Sequence, residues 1–202
     1  MAKRLFDWFW ASLGLLFLWP FFLGIALLVK LEDRGPVFFK QWRVGQHGKP
    51  FRMWKFRTMV VNAEHMGATL TIGQDRRITR IGRWLRVSKL DELPQLVNVW
   101  LGEMSLVGPR PEVQKYVDLY SDDQRRVLLL KPGITDPASV KYRRESDLLA
   151  LADDPDHTYI SEIMPEKIRI NLDYAARATL WGDLRVILLT LGLWNSDHSI
   201  TI

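Results

Sequence analysis

The residues most able to do chemistry stand in "KLDELPQL", positions 89–96, where Asp91 and Glu92 are adjacent and Pro94 follows two residues later. Upstream the chain is cationic: Arg76, Arg77, Arg80, Arg83, Arg86 and Lys89. Two adjacent carboxylates repel, which raises one pKa unless a cation relieves them. Mg²⁺ binds through one or two carboxylates together with substrate phosphates. Arginines beside such a pair are suited to hold those phosphates. The combination points to phosphoryl transfer, with a carboxylate as nucleophile or metal ligand. The structural alternative is an N-terminal cap. Pro94 has no N–H and favours the first turn of a helix. Asp91 or Glu92 then falls at the N-cap or first turn, where free N–H groups favour negative charge.

Two more stretches constrain the backbone around candidate binding groups. "SLVGPRPE" at 105–112 sets Arg110 between Pro109 and Pro111, so the arginine has little freedom to lose on meeting an anion. "KPGIT" at 131–135 is a Pro-Gly turn that ends in the hydroxyl of Thr135. Taken singly, each also reads as a plain turn. Lys55 and Arg57, in "WKFRTM" at 54–59, are candidates to reach the same site or to sit on a strand edge. His47, His65, His157 and His198 have no metal-ligand spacing.

These groups need elements to position them. The chain has 202 residues, a formal charge of +5 and nine tryptophans. This suits one catalytic unit with an appendage and an anionic partner. Absence of cysteine excludes disulfides, thiolate metal sites and cysteine catalysis. Residues 8–29 carry no charge. As a helix they would cover about 33 Å, against a bilayer core of about 30 Å. Asp7 and the lack of a small-residue cleavage site argue against a signal peptide. Lys3 and Arg4 precede the segment, Lys30 and Arg34 follow it, and Pro20 lies in its middle. Basic residues at both ends favour a re-entrant helix broken at Pro20; a kinked spanning helix is the alternative.

Beyond it, residues 37–43 and 51–59 read as a hairpin or two short strands linked by "VGQHGKP", and 60–74 as a polar loop. Residues 76–89 form a basic amphipathic pattern, and 92–101, 112–130 and 160–178 read as helices. Residues 180–194 suit a core or interfacial helix. The fold class is α+β, helix-dominant, with amphipathic interfacial helices around the site. The expected division is a membrane helix at 1–34 with cytoplasmic flanks and a catalytic domain at 35–202 lying on the membrane surface.

Together, "KLDELPQLVNVWLGEMSLVGPRPE", "KPGIT", "WKFRTM" and "DYAARATLWGDLRVIL" resemble the bacterial sugar transferases, monotopic phosphoglycosyl transferases acting on polyprenyl phosphate. The resemblance covers nearly the whole chain and the size of the minimal catalytic unit. It implies transfer of a sugar-1-phosphate from a nucleotide diphosphate-sugar, in particular a UDP-sugar, to polyprenyl phosphate through a covalent aspartyl-phosphosugar. By that likeness Asp91 is the nucleophile, Glu92 its partner, and Mg²⁺ sits at the pair. Arg86, Arg57, Pro109, Arg110, Pro111, Thr135 and Arg143 are then substrate-binding. The implied setting is the cytoplasmic face of a bacterial inner membrane, on anionic lipid and without nucleic acid. Two departures stand out. Trp19 replaces a serine often found before the proline, and "DPASVKYRRE" at 136–145 replaces the family's usual Gly-Leu-Ala-Gln-Val continuation. A rival of another class remains: a membrane-tethered basic protein that binds nucleic acid or acidic lipid without catalysis.

Overall fold

A computed structural model describes residues 1–66 and 75–194. Part of the expected 60–74 loop, and His198, lie outside the described residues.

Helix α1, Ala2–Asp33, is followed by an antiparallel hairpin, β1 (Phe38–Val44) and β2 (Pro50–Phe56), in which Phe38 pairs with Phe56 and Val44 with Pro50. Then come α2 (Arg80–Val87), a 3-10 turn at Leu90–Glu92, and α3 (Gln95–Leu101). Strand β3 (Ser105–Val107) runs parallel to β4 (Gly133–Thr135). Between them stand α4 (Gln114–Val117), α5 (Asp122–Arg125) and a 3-10 turn at Arg126–Leu129. The chain closes with α6 (Pro137–Lys141), α7 (Glu145–Ala150), α8 (Pro155–Thr158), a π-turn at Tyr159–Ile163, α9 (Met164–Ala175) and α10 (Leu180–Thr190). The architecture is helix-dominant α+β, as the sequence indicates.

The single helix expected over 112–130 is instead divided. Ser121 starts a new helix there: its hydroxyl accepts from Gln124 N while the Gln124 side chain accepts from Ser121 N, a capping box that resets the helical register.

Helix α1 is long and apolar enough to cross a membrane. Its backbone stays helical through Pro20, so the proline lies inside one element and does not end it. One stripe of α1 faces the rest of the protein. Ala11 packs with Met53, Val99 and Met104, while Ile25 and Val29 pack with Phe56 and Leu85. The opposite face leaves Trp8, Phe9, Phe17, Trp19, Leu23, Leu27 and Leu31 exposed.

Both ends of α1 are tied to the same body. Near its start, Lys3 Nζ meets Asp183 at 2.5 Å and Arg4 donates to the carbonyls of Val99 and Trp100. Asp7, 2% exposed, accepts from Ser105 Oγ at 2.8 Å and from Leu106 N at 3.1 Å. At its end, Glu32 accepts from the backbone N–H groups of Arg80 and Ile81, opening α2, and Asp33 pairs with Arg57. A straight membrane crossing would carry these two ends to opposite faces; here one folded unit holds both.

Candidate active site

Three docking devices bring the carboxylate pair to its neighbours. The first joins α3 to the hairpin. Asn98 is fully buried; its Oδ1 accepts from Trp54 N at 3.0 Å and its Nδ2 donates to Arg52 O at 2.8 Å. This sets the start of α3 against β2 and brings the Lys55 ammonium to 2.9 Å from Glu92 Oε1.

The second device is the β3–β4 pair, a parallel contact that two separate turn motifs did not reveal. Gly108 N donates to Thr135 O, and Gly133 N donates to Pro109 O, both at 3.0 Å. A Cβ at Gly133 would stand 2.1 Å from Gly108 N, so only glycine permits this approach. The pairing lays "GPRP" beside "KPGIT" and aims Arg110 at Glu92. The guanidinium grips both carboxylate oxygens, Nη1 donating to Oε2 at 3.0 Å and Nη2 to Oε1.

The third device is Lys89. Its φ of 59° lies in the left-handed region, uncommon for a residue other than glycine. It reverses the chain between α2, which carries Arg86, and the 3-10 turn that carries the carboxylates. Neither carboxylate caps a helix. The residue before α3 is Pro94 in helical conformation, with no side-chain cap bond, so neither acid takes the N-cap place; both lie in the first turn of the 3-10 segment, the other placement the sequence allows. The 3-10 turn already supplies the geometry that leads into α3, so no side-chain cap is required.

The two acids are electrostatically unlike. Glu92 is buried, which opposes its charge, but Arg110 and Lys55 outweigh this and hold its carboxyl well below the usual range. Asp91 is 7% exposed, and burial pushes its carboxyl up. Lys55 and Arg86 pull it down and the Glu92 charge pushes it up. Among the described residues, no hydrogen bond or ion pair engages the Asp91 carboxylate. The pair is therefore one acid locked as an anion by two cations, and one open carboxylate beside it.

Arg86, at the end of α2, donates through Nε to Thr58 Oγ1 at 2.8 Å and acts electrostatically on Asp91. Pro109 and Pro111 hold the Arg110 backbone. Arg57 pairs with Asp33; among the described residues it makes no bond to either acid, and its buried Nε and Nη1 have no partner. Thr135 Oγ1 lies 2.6 Å from Thr190 Oγ1, and Arg143 donates to Leu189 O at 2.6 Å. Both therefore meet the end of α10. Asp136 caps α6 through Ser139 N, with Pro137 in the first turn, and its charge acts on Arg110. Lys55 was no more than a candidate by sequence; its signal is a lysine between Trp54 and Phe56 on a strand with buried neighbours.

Among the described residues, no group of three or more His, Asp or Glu residues is placed to hold a metal. A Mg²⁺ ion therefore fits here only with substrate oxygens completing its shell. The residues allow that. The Asp91 carboxylate is open, and Glu92 Oε2 accepts a single bond, leaving one lone pair.

Comparison with known proteins places this geometry in context. The family model for the bacterial sugar transferases matches residues 1–196. A UDP-glucose:undecaprenyl-phosphate glucose-1-phosphate transferase of Xanthomonas campestris pv. campestris is 42% identical over 196 residues, covering 94% of this chain and 38% of the relative. A UDP-N-acetylgalactosamine-undecaprenyl-phosphate N-acetylgalactosaminephosphotransferase of Aeromonas hydrophila is 36% identical over 192 residues, 94% of this chain and 42% of the relative. The uncharacterised sugar transferase EpsL of Bacillus subtilis is 45% identical over 205 residues, 98% of this chain and 93% of the relative. The chain thus spans less than half the length of the first two.

Proposed function

Since this chain belongs to the bacterial sugar transferase family, we propose that it transfers a sugar-1-phosphate from a UDP-sugar to a polyprenyl phosphate, by way of a phosphosugar carried on Asp91. The observation that carries this reading is the open Asp91 carboxylate beside Glu92, with Lys55 and Arg110 fixed on Glu92. The names of the relatives, which specify UDP-sugars and undecaprenyl phosphate, support the substrate classes.

In this reading Arg86, Arg110 and Lys55 neutralise the donor diphosphate, so that an anionic carboxylate can approach it. An Asp91 oxygen attacks the β-phosphorus. The phosphorus–oxygen bond to the uridine monophosphate breaks, UMP leaves with that electron pair, and an acyl phosphate remains on Asp91. A phosphate oxygen of the polyprenyl acceptor then attacks the same phosphorus and restores the carboxylate. Glu92, held low in pKa, is a poor proton acceptor; its task is to fix the two cations and the rim of a metal site. Asp91 and Glu92, together with donor oxygens, would hold a Mg²⁺ ion, which would supply charge neutralisation at the diphosphate. Thr135 and Arg143 act on the substrate through the end of α10, and Arg57 through the end of α1. Thr135 and Arg143 are bonded to α10 and Arg57 pairs with Asp33 through Nη2, so these residues act by fixing the backbone beside the site.

The membrane reading follows from the same framework. The exposed face of α1 lies in the bilayer with both helix ends on the cytoplasmic side, the helix staying continuous and bending at Pro20, whose missing N–H weakens it there. The catalytic residues then lie at the anionic surface where a polyprenyl phosphate headgroup is reached. The rival reading, a basic binder without turnover, has no use for an open carboxylate between cations.

The test is UMP release from a panel of UDP-sugars in detergent with polyprenyl phosphate and Mg²⁺. Release, abolished by excess EDTA and restored by Mg²⁺, is expected. No release from any UDP-sugar overturns the activity, and full turnover in EDTA overturns the metal.

A further inference from the structure

Of the three cations assigned to the donor diphosphate, two already engage Glu92. The Arg110 guanidinium grips it through Nη1 and Nη2, and the Lys55 ammonium donates to Oε1. Arg86 differs. Its Nε donates to Thr58 Oγ1 at 2.8 Å, while Nη1 and Nη2 have no hydrogen-bond partner among the described residues and are not buried. A guanidinium held by Nε alone keeps the two N–H groups at its end for a phosphate.

The backbone places the Thr58 hydroxyl. Thr58 continues the chain beyond β2, three residues after Lys55. Its carbonyl accepts from Thr79 N at 3.1 Å, and Val60 N donates to Arg77 O at 2.9 Å, so residues 58–60 run against 77–79. Thr79 then caps α2, its Oγ1 accepting from Gly82 N at 2.9 Å. A Cβ at Gly82 would stand 2.1 Å from Thr58 O, so the first turn of α2 lies directly on the Thr58 peptide. Gly82 and Arg86 are four residues apart and share that face of α2. Thr58 is 6% exposed. With water excluded, a hydroxyl that accepts from a guanidinium is a strong orienting group. One stretch of chain, 55–58, therefore sets two cations: Lys55 on Glu92, and Arg86 where it acts on the charge of Asp91.

We propose that Thr58 is a positioning residue: its hydroxyl holds Arg86 by Nε and so aims the free end of the guanidinium at the donor diphosphate. This rests on the UDP-sugar reading above and adds to it the group that orients one of its cations. The diphosphate is charged both before and during transfer, so losing that aim weakens ground state and transition state alike.

The experiment separates hydroxyl from shape. Thr58→Val keeps the branched side chain and removes the hydroxyl; Thr58→Ser keeps the hydroxyl and drops the methyl group. Thr58→Val is expected to raise the KM of a UDP-sugar about tenfold with kcat within about threefold, and Thr58→Ser to stay within about threefold of wild type in both. The dissociation constant of UDP should rise by the same factor in Thr58→Val. In an Arg86→Ala background the valine substitution should add nothing, because the group it orients is gone. Arg86→Lys keeps the charge but cannot give one N–H to Thr58 and a planar pair to the phosphate, so it should raise KM at least as far as Thr58→Val. An unchanged KM in folded Thr58→Val, a serine variant as impaired as the valine, or full additivity with Arg86→Ala overturns the proposal. An unchanged KM in Arg86→Lys also overturns it and is read with Thr58 intact, so the test survives a valine variant that fails to fold. UDP affinity is measured without turnover. UDP binding by wild type with no UMP released from any UDP-sugar therefore overturns the transfer reading, while the role of Thr58 is still decided by UDP affinity across the same variants.

Discussion

Replacing Glu92 by Gln removes the charge that two cations share and keeps the side-chain shape. The Glu92, Lys55 and Arg110 side chains are 14%, 16% and 31% exposed, so solvent screens this cluster only partly. Three bonds reach the carboxylate. A bond to a charged group contributes about 1.5–3 kcal/mol, but these share one acceptor group and do not add independently. Breaking a buried ion pair by removing one partner costs about 3–5 kcal/mol. Gln retains one acceptor oxygen, so the loss expected for Glu92→Gln is about 3 kcal/mol at pH 7. The sign of the pH dependence follows from the lowered pKa of Glu92. Its contribution is fully present above the ordinary glutamate pKa of about 4.3 and is lost as pH falls through the lower folded value. Gln does not titrate. The gap between the two proteins should therefore hold from neutral pH down to about 4.5 and close below it. Denaturant unfolding in detergent, followed by the fluorescence of the nine tryptophans, measures this. A gap under about 1 kcal/mol at pH 7, or one that persists unchanged at pH 3, would refute the argument that Glu92 is an anion stabilised by Lys55 and Arg110.

Two further outcomes concern the anchoring of α1. Asp7→Ala leaves the Ser105 hydroxyl and the Leu106 N–H without their buried acceptor. It should cost about 2–3 kcal/mol in the same unfolding assay, and a loss under about 0.5 kcal/mol would show that this tie is not needed. For topology, Ala2→Cys and Arg34→Cys in the cysteine-free chain should both escape an impermeant thiol reagent outside intact cells, and both react after permeabilisation. Labelling of one position alone from outside would show a spanning helix and sink the same-side reading.

The sequence made the local pieces legible and the long-range pairings not. The hairpin could be read because strand composition and a Gly-rich link are local signals. Helix α3 was legible from its apolar spacing, although its start moved from residue 92 to Gln95 because the 3-10 turn takes up the residues before it. The long helix over 112–130 failed on Ser121, whose capping box with Gln124 outweighs the apolar pattern. The β3–β4 pair failed for another reason: each strand is three residues long, with no alternation to detect. Yet that pair brings the two turn motifs together and aims Arg110. At the site, the Asp-Glu pair was visible as chemistry, but its asymmetry was not. Adjacent carboxylates look equivalent in sequence; they differ because Lys55 comes from β2 and Arg110 from beyond β3, and both choose Glu92.

The most direct test of the central claim is a search for a phosphosugar on Asp91. Wild type is incubated with a radiolabelled UDP-sugar and Mg²⁺ without the polyprenyl acceptor, quenched in acid, digested and mapped by mass spectrometry, alongside Asp91→Asn. The account predicts label retained on the peptide that contains Asp91 in wild type, discharged when polyprenyl phosphate is added, and none retained by a folded Asp91→Asn protein whose turnover is lower by orders of magnitude. Near-normal turnover by that variant, or label on any other residue, would contradict it.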